Sequence, residues 1–410
     1  MTKRGRILAV FISLIFLLLS FSASWLISNY QLPETFSKII SSKTLILHQA
    51  KFSKKICNGI QCELCPHKCF LPNGARGKCR VRINSGGSLL TLNYSKPVAV
   101  HIDPIEKKPV YHLLPGSLVY SIATVGCNLK CKWCQNWQIS QIYPEEAPEK
   151  LLTPINLKLL LNPITRQVSG KVNHKELSSL TPEQVVAYAI KSKCKSIAYT
   201  YSEPVIFYEY MYDTAKLAKE KGLKNVMVTA GYINPEPLRQ LLKYMDIVKV
   251  DLKGFNEKFY SDYVGGDIER VKETLLVLKE EKVFFEIVNL IVPTLNDNEK
   301  DIHKMILWIK NNLGKNAPIF FSKFSPNYKL KNVPVTSLET LEKAREIAIK
   351  EGLNFVYIGN LSGHPGESTY CPKCKKILIK RHGYAILGDL LSPNHGKCPY
   401  CGTKIPGIWK

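Results

Sequence analysis

Between about residues 117 and 359, short apolar runs alternate with amphipathic stretches, and this alternation limits the fold more than any other feature of the 410-residue sequence. The runs predict strands and the stretches between them predict helices, two of which begin at Thr181-Pro182 and Asn234-Pro235. A repeated βα unit implies a parallel sheet covered by helices, so the predicted class is α/β. Six units fit a partial (β/α)6 TIM-like barrel, but a doubly wound sheet has the same local pattern, and the alternation leaves both open.

The predicted elements follow one another at the spacing that such units need. Strands are predicted at 118–123, 196–200, 225–229, 247–252, 283–292 and 318–324, with a further one at 354–358. Helices are predicted at 182–193, 206–221, 235–244, 268–281, 299–312 and 338–350. Residues 148–179 fit neither pattern, so we interpret them as an insertion or lid.

The 13 cysteines are grouped along the chain, and only Cys194 stands alone. Short spacings within the groups favour metal sites over a disulfide framework. The central group, Cys127, Cys131 and Cys134, has C-x3-C-x2-C spacing directly after the first predicted strand. Three thiolates can hold three irons of a four-iron cluster and leave the fourth open, whereas half of a zinc site is the alternative for this spacing.

The sequence around these cysteines resembles a known family. Residues Ser121 to Asn128 and Cys134 to Trp137, with 103–109 and 111–116 upstream, resemble the radical S-adenosylmethionine (SAM) member of the AmmeMemoRadiSam system. That group is similar to the pyruvate formate-lyase-activating enzymes, and the resemblance covers about residues 62–402. It implies an enzyme that binds a [4Fe–4S] cluster and SAM, and that generates a 5′-deoxyadenosyl radical for hydrogen abstraction from a protein or small-molecule substrate.

The same resemblance implies an electron donor such as ferredoxin or flavodoxin and, more finely, installation of a glycyl radical on a partner protein. It also assigns contacts to SAM, with Glu203 accepting from the amino group and Lys253 pairing with the carboxylate. The full set of implied SAM contacts is Trp133, Thr200, Ser202, Glu203, Asp251, Lys253 and Asn289. An ordinary solvated glutamate and a surface ion pair are the alternatives for Glu203 and for Asp251 with Lys253.

The sixth predicted strand departs from the family pattern. The family tends to have a histidine-containing run there, whereas this chain has Phe320, Phe321, Ser322, Lys323, Phe324, Ser325 and Pro326. If a histidine there helps to bind SAM or substrate, its role is missing or moved in this chain, so this strand gives no support for carrying over the family's substrate.

Two further cysteine groups flank the predicted barrel. The first consists of Cys62, Cys65, Cys69 and Cys79, with Cys57 as an alternate ligand. Four thiolates predict a closed structural zinc site, and an auxiliary iron–sulfur cluster is the rival. The second consists of two C-x2-C pairs typical of a zinc ribbon, namely Cys371, Cys374, Cys398 and Cys401.

Residues 7–27 carry no charge and are rich in Leu, Ile and Phe, and Lys3, Arg4 and Arg6 precede them. The run is long enough to span a bilayer as a transmembrane helix, and a cleaved signal peptide is its rival. The basic flank predicts that the amino terminus is inside and the bulk of the protein is outside. That orientation conflicts with chemistry that needs SAM and low-potential electrons. We predict a membrane-anchored protein that contacts the membrane through residues 7–27 and has its catalytic domain on the cytoplasmic side.

The predicted organisation is an anchor or signal at 1–30, a linker at 31–56, a four-cysteine segment at 57–110, a barrel at 111–360 and a ribbon at 361–410. Two other functions stay open. The net charge of +24 allows an RNA-modifying radical SAM enzyme, although the basic residues are spread along the chain as on a solvated surface, and we do not expect nucleic acid as a partner. The third hypothesis is a membrane-tethered metal-binding scaffold without catalysis. The intact cysteine loop argues against it.

Overall fold

A computed structural model describes residues 47–147 and 179–410 of the chain. The strands of this part are β1 His48–Gln49, β2 Ser53–Ile56, β3 Gly59–Cys62, β4 Phe70–Pro72, β5 Arg82–Ser85, β6 Ser88–Thr91, β7 Pro97–Pro104, β8 Leu118–Thr124, β9 Ser196–Tyr199, β10 Lys224–Thr229, β11 Ile247–Asp251, β12 Phe284–Ile291, β13 Ile319–Lys323, β14 Val356–Gly359, β15 Thr369–Tyr370, β16 Ile377–His382 and β17 Ala385–Asp389. Its longer helices are α1 Pro182–Lys191, α2 Tyr208–Glu220, α3 Pro235–Leu242, α4 Ile268–Glu280, α5 Glu299–Asn312 and α6 Leu338–Lys350.

The large sheet has eight strands that follow chain order from β7 to β14. Strands β8 to β14 are parallel to their neighbours, and one of the six helices lies in the chain between each pair. A doubly wound sheet reverses its winding at a switch point, and this order has no reversal. The sheet is therefore of the barrel type, which confirms the predicted α/β fold, and β7 adds an antiparallel edge strand that was not predicted.

Local sequence explains where the helices begin. Helix α1 follows Thr181, whose hydroxyl accepts a hydrogen bond from the Gln184 N–H, and α6 follows Ser337, which caps the Thr340 N–H. Such caps satisfy backbone donors that the first turn leaves free. Buried residues then recur every three or four positions, as on α5 at Ile302, Met305, Ile306 and Ile309. One face of that helix is thus in the core.

The amino ends of the barrel strands are filled by the chain itself. Ile105, Val110 and Leu113, which follow β7, pack into one buried cluster with residues near the starts of four strands, namely Val119, Ala198, Val226 and Ile247. The ribbon formed by β15 to β17 packs beside them, on Tyr111 and Tyr357. Because this end is closed, the carboxyl ends of the strands are the place where a ligand could enter, as in other barrels.

The residues before the barrel form two small sheets, β1-β6-β5 and β2-β3-β4. Strands His48–Gln49 and Ser53–Ile56 lie in the stretch predicted as a linker, so part of 31–56 is sheet. This segment is joined to the barrel by an ion pair between Arg82 and Glu209 of α2, whose side chains are 2% and 1% exposed. The backbone of Lys51 completes the contact, since its carbonyl accepts from Arg82 and its N–H donates to Glu209.

Replacing Glu209 with Gln should lower the free energy of unfolding by about 3 kcal/mol, because the buried Arg82 guanidinium would lose its counter-charge. The measurement is the thermal unfolding midpoint of the full chain. Glu220→Gln is the matched control, since Glu220 ends the same helix and is exposed. Equal midpoints for the two variants would contradict this role of the ion pair.

The prediction of a membrane-anchored protein is corrected by the helices. Across residues 47–147 and 179–410, no helix is both long and apolar enough to cross a membrane. The longest helix in these ranges, α5, has 14 residues, whereas a bilayer core needs about 20 apolar residues. Residues 7–27, on which the prediction rested, lie outside the described residues, as do residues 148–178 of the predicted insertion or lid.

Candidate active site

The ends of neighbouring strands bring the predicted site residues to one edge of the large sheet. Cys127 to Cys134 follow β8, Thr200 to Glu203 follow β9, and Asp251 is the last residue of β11. Asn289 lies in the second half of β12. Because these strands are parallel, their carboxyl ends meet at the same edge, and the residues predicted from four separate stretches of sequence converge there.

The cysteine loop leaves β8 through a glycine that no other residue could replace without strain. Gly126 has a φ of +102°, in the left-handed region, and a Cβ there would lie 2.7 Å from the carbonyl oxygen of Cys79. Further along the loop, the Lys130 and Lys132 N–H groups donate to the carbonyls of Val264 and Tyr263 at 2.8 and 2.9 Å. Backbone contacts on both sides thus hold the loop in place.

The three thiols of this loop are buried or half-buried, and two of them have nearby hydrogen-bond donors. The Leu129 N–H donates to Cys127 Sγ at 3.3 Å, and the Ser140 hydroxyl lies 3.1 Å from Cys134 Sγ. Burial, followed by the Glu203 charge, raises the pKa of Cys127. Burial also raises the pKa of Cys131 to about 11, against the charge of Lys253. A positively charged metal centre would displace the thiol protons.

The spacing of the sulfur atoms separates two kinds of cysteine site. In the ribbon, the ligand atoms of Cys371, Cys374, Cys398 and Cys401 all lie within 4.8 Å of one another. Two of the Sγ–Sγ distances are 3.5 and 3.7 Å. Zn–S bonds of about 2.3 Å in a tetrahedron put sulfurs about 3.8 Å apart, so the ribbon has the spacing of a single zinc ion.

No other group of three or more His, Cys, Asp or Glu side chains is packed so closely in the residues that the structure describes. The sulfurs of Cys127, Cys131 and Cys134 are therefore more widely spaced than ligands of one small ion. Three soft thiolates are the donor set that a four-iron cluster with one open iron needs, so this group stays the predicted cluster site.

Glu203 is a buried carboxylate that the chain has positioned with three hydrogen bonds. Its Oε1 accepts from the Thr229 hydroxyl and the Val205 N–H, and its Oε2 accepts from the Ala230 N–H at 2.8 Å. Burial raises its pKa, and the hydrogen bonds from Thr229 and Ala230 oppose that rise. A carboxylate oxygen can accept twice, so Oε2 retains one acceptor position among the described residues.

Lys253 and Asp251 form an ion pair beside the cysteine loop. The Lys253 Nζ lies 3.1 Å from Asp251 Oδ2, and its charge acts on Cys131. Burial opposes the charge of Lys253, but the charges of Asp251 and Cys131 raise its pKa above the usual value. Burial alone would raise the pKa of Asp251, whereas Lys249 and Lys253 lower it. Both groups are therefore charged at neutral pH, and their side chains are half-buried, at 14% and 29% exposure.

The other predicted SAM contacts have different surroundings. Asn289 is buried and donates to the Leu252 carbonyl at 2.8 Å, but its Oδ1 has no hydrogen-bond partner within the described residues. Ser202 donates to the Thr124 carbonyl at 2.7 Å, which ties the β9 loop to the end of β8. Thr200 is buried, and Trp133 stacks on Phe259 with ring centroids 5.4 Å apart. Asn289 therefore offers a free acceptor, whereas the Ser202 hydroxyl is already used.

Lys249 was not predicted as a site residue, although it pairs with Asp251 and its side chain is 7% exposed. It lies two positions before Asp251 on β11, so both side chains leave the strand on one face. The alternation of Lys249, Asp251 and Lys253 along an apolar strand could have indicated a charged cluster in the interior.

A second buried charged group, centred on Asp103, was also missed. Its carboxylate is 1% exposed and accepts from Lys108 at 2.6 Å, from Ser121 at 3.1 Å and from the Tyr201 hydroxyl. Lys108 is buried as well, and burial lowers its pKa to about 8 against the charge of Asp103. No local pattern marks this burial, because it depends on pairing between β7 and β8.

Comparisons with known proteins show what this chain is similar to. Residues 121–309 match the radical SAM superfamily. Over 360 residues the chain is 41% identical to the uncharacterized protein MJ0808 of Methanocaldococcus jannaschii, across 88% of this chain and 99% of that protein. It is 24% identical over 237 residues to the pyruvate formate-lyase-activating enzyme of Clostridium pasteurianum, across 53% of this chain and 84% of that enzyme. A crystal structure of a radical SAM methyltransferase from Sphaerobacter thermophilus aligns with a TM-score of 0.43 at 11% identity, over 84% of this chain and 86% of that chain.

Proposed function

The chain belongs to the radical SAM superfamily and is a radical SAM enzyme similar to the pyruvate formate-lyase-activating enzymes, and we propose that its catalytic centre is the edge of the sheet described above. In this proposal Cys127, Cys131 and Cys134 hold a [4Fe–4S] cluster beside a bound SAM. When bound, the reduced cluster supplies the electron that divides SAM into methionine and a 5′-deoxyadenosyl radical, which takes a hydrogen atom from the substrate.

One observation carries this proposal: the loop with the three thiols meets an acidic and a basic side chain, Glu203 and Lys253, at the carboxyl edge of one parallel sheet. Cys127 is within the electrostatic range of Glu203, and Cys131 is within that of Lys253. The amino and carboxylate groups of SAM carry opposite charges, and a carboxylate and an ammonium near the same loop complement them.

The chain's own residues would bind and orient SAM. Glu203 Oε2 would accept from the SAM ammonium through its remaining acceptor position, because its other positions are held by backbone and Thr229 donors. Lys253 would bind the SAM carboxylate while Asp251 keeps its side chain in place. Asn289 Oδ1 would accept from a ribose hydroxyl, which would satisfy a buried acceptor that otherwise lacks a partner among the described residues.

We propose that the substrate is a protein or a small molecule. If it is a protein, the reaction proposed is installation of a glycyl radical on that partner. We also propose that the chain is the radical SAM member of an AmmeMemoRadiSam system, on the resemblance of residues 121–128 and their neighbours. On β13 the buried Ser322 lies within the run where that family tends to have histidines, and its hydroxyl has no partner in the described chain. A small-protein electron donor, ferredoxin or flavodoxin, is proposed as partner, and acidic donors would be attracted by the net charge of +24.

The ribbon is proposed to bind one structural zinc ion. Its four sulfurs have tetrahedral spacing, and all four ligands come from the protein, so no coordination position is left for chemistry. The ribbon packs on Tyr111 and Tyr357 at the closed end of the barrel, and zinc there would support that packing.

The test of the proposed function is electron paramagnetic resonance of the full chain, reconstituted anaerobically with iron and sulfide and then reduced. We expect a reduced-cluster signal that shifts when SAM is added, together with formation of 5′-deoxyadenosine. A signal that SAM leaves unchanged, with no 5′-deoxyadenosine formed, would contradict the proposal. RNA modification, the alternative that the charge leaves open, would require RNA binding that weakens steeply with salt.

A further inference from the structure

The four cysteines before the barrel surround a cavity and not a compact ion site. Cys62, Cys65, Cys69 and Cys79 all line the same cavity. Cys57, the alternate ligand, is exposed and does not line it. The four sulfurs of a single-zinc site, in contrast, are nearly in contact with one another.

The sulfurs nevertheless face a common space. Cys69 Sγ and Cys79 Sγ lie 3.7 and 3.5 Å from the position that a Cβ on Gly77 would occupy. Yet no three of the four sulfurs lie within 4.8 Å of one another, whereas all four ribbon sulfurs do. The ribbon is the internal reference for a zinc site in this chain, and the first cysteine group differs from it in the same way as Cys127, Cys131 and Cys134 do.

We propose that Cys62, Cys65, Cys69 and Cys79 hold a second iron–sulfur cluster of the four-iron type. Four soft thiolates that line one cavity, with sulfurs more widely spaced than those of the ribbon, match the ligand set of such a cluster. All four irons would have a protein ligand, so the cluster could neither chelate SAM nor bind substrate. It could take up and release one electron. Arg82 would stabilise its negative charge, because its Nη1 donates to Cys62 Sγ at 3.7 Å.

The cavity shares a wall with the loop that is proposed to hold the SAM-binding cluster. Asn128, the residue after Cys127, lines the cavity, and its carbonyl is hydrogen-bonded to the His67 ring at 2.6 Å. Gly126 also packs against the Cys79 backbone. The second cluster would pass one electron from a ferredoxin-type or flavodoxin-type donor to the SAM-binding cluster, with no bond made or broken. This step rests on the proposed function, which supplies the acceptor.

The test counts metals in the full chain after anaerobic reconstitution with iron and sulfide. We expect about eight iron atoms in the native protein and about four in the triple variant Cys127/Cys131/Cys134→Ala, with about one zinc in each. The reduced triple variant should give a cluster signal that SAM does not shift. A triple variant with no iron and about two zinc ions would overturn the proposal.

Two further variants assign the remaining iron. Adding Cys65→Ser and Cys69→Ser to the triple variant should remove it, whereas adding Cys57→Ser, the matched control at an exposed cysteine, should not. Iron that survives the first change would contradict the assignment. If the native protein fails to cleave SAM while the triple variant keeps its four irons, the proposed function fails and this inference stands.

The electron-transfer role has its own measurement. With Cys65→Ser and Cys69→Ser in an otherwise native chain, 5′-deoxyadenosine formation should fall at least about tenfold with reduced flavodoxin and persist with dithionite, a small reductant that reaches the first cluster directly. Equal loss with both reductants, or no loss with either, would contradict the transfer role.

Discussion

Cys131→Ala should reduce 5′-deoxyadenosine formation by more than about a hundredfold, because loss of partners outside the ligand set already costs 10- to 100-fold and this change removes a ligand itself. Cys131 is 9% exposed, and its carbonyl accepts the Cys134 N–H at 3.2 Å, so the backbone of the loop can persist without the thiol. The measurement is 5′-deoxyadenosine formed per chain under reducing conditions, with iron determined on the same sample.

Cys194→Ala is the matched control for that experiment. Cys194 is also buried, at 3% exposure, but it lies in the apolar core and is not one of the proposed metal ligands. Its loss should leave iron content and turnover unchanged within about twofold, since removal of one small buried group costs stability and not ligands. If Cys131→Ala retained a tenth or more of the native rate, Cys131 would not be a cluster ligand.

The sequence predicted the elements of the barrel well but not how they are wound. The six helices and seven strands appear within two residues of their predicted bounds, because periodicity of buried positions is a local property. The choice between a barrel and a doubly wound sheet depends on the order in which distant strands pair. Strand β7 was missed because Pro97 and Pro104 bound it and its partner β8 is reached only through the intervening turn.

Some residues of the candidate site could likewise be predicted from the sequence, and others could not. Cys127, Cys131 and Cys134 are close in sequence, so their spacing reveals them directly. Glu203 and Lys253 were predicted as SAM contacts from a family resemblance. The structure adds their burial and their hydrogen-bond and ion-pair partners, which no sequence motif contains. Lys249 and Asp103 are charged side chains buried by tertiary contacts, and composition would place both on the surface.

The kind of metal at each cysteine group is likewise a tertiary property. Cys62, Cys65, Cys69 and Cys79 read as four thiolates in the sequence whether they hold zinc or iron. The distances between sulfurs decide between the two, and those depend on how β3, the loop that follows and the turn before β5 are packed. The sequence favoured zinc at this group, whereas the spacing supports the iron–sulfur cluster proposed above.

Lys253→Met should weaken SAM binding about ten- to a hundredfold, because a charge-assisted hydrogen bond contributes about 1.5–3 kcal/mol and every 1.4 kcal/mol is a factor of ten. Met keeps the length of the side chain without its charge. Asp251 retains Lys249 as a partner, so the Asp251 carboxylate still has a positive charge beside it. The measurement is the Kd for SAM of the reconstituted protein, with iron content as the check that the cluster is intact.

Two companion variants separate this role from a general loss of positive charge. Lys258→Met removes a lysine whose side chain is 84% exposed and should leave the Kd unchanged. Lys253→Arg keeps a charge that can still reach a carboxylate and should recover part of the affinity. A rise in the KM for SAM with little change in kcat would mark Lys253 as a binding residue, since such a change removes interactions that substrate and transition state share. An unchanged Kd in Lys253→Met, with full iron content, would show that the Lys253 ammonium serves only the ion pair with Asp251.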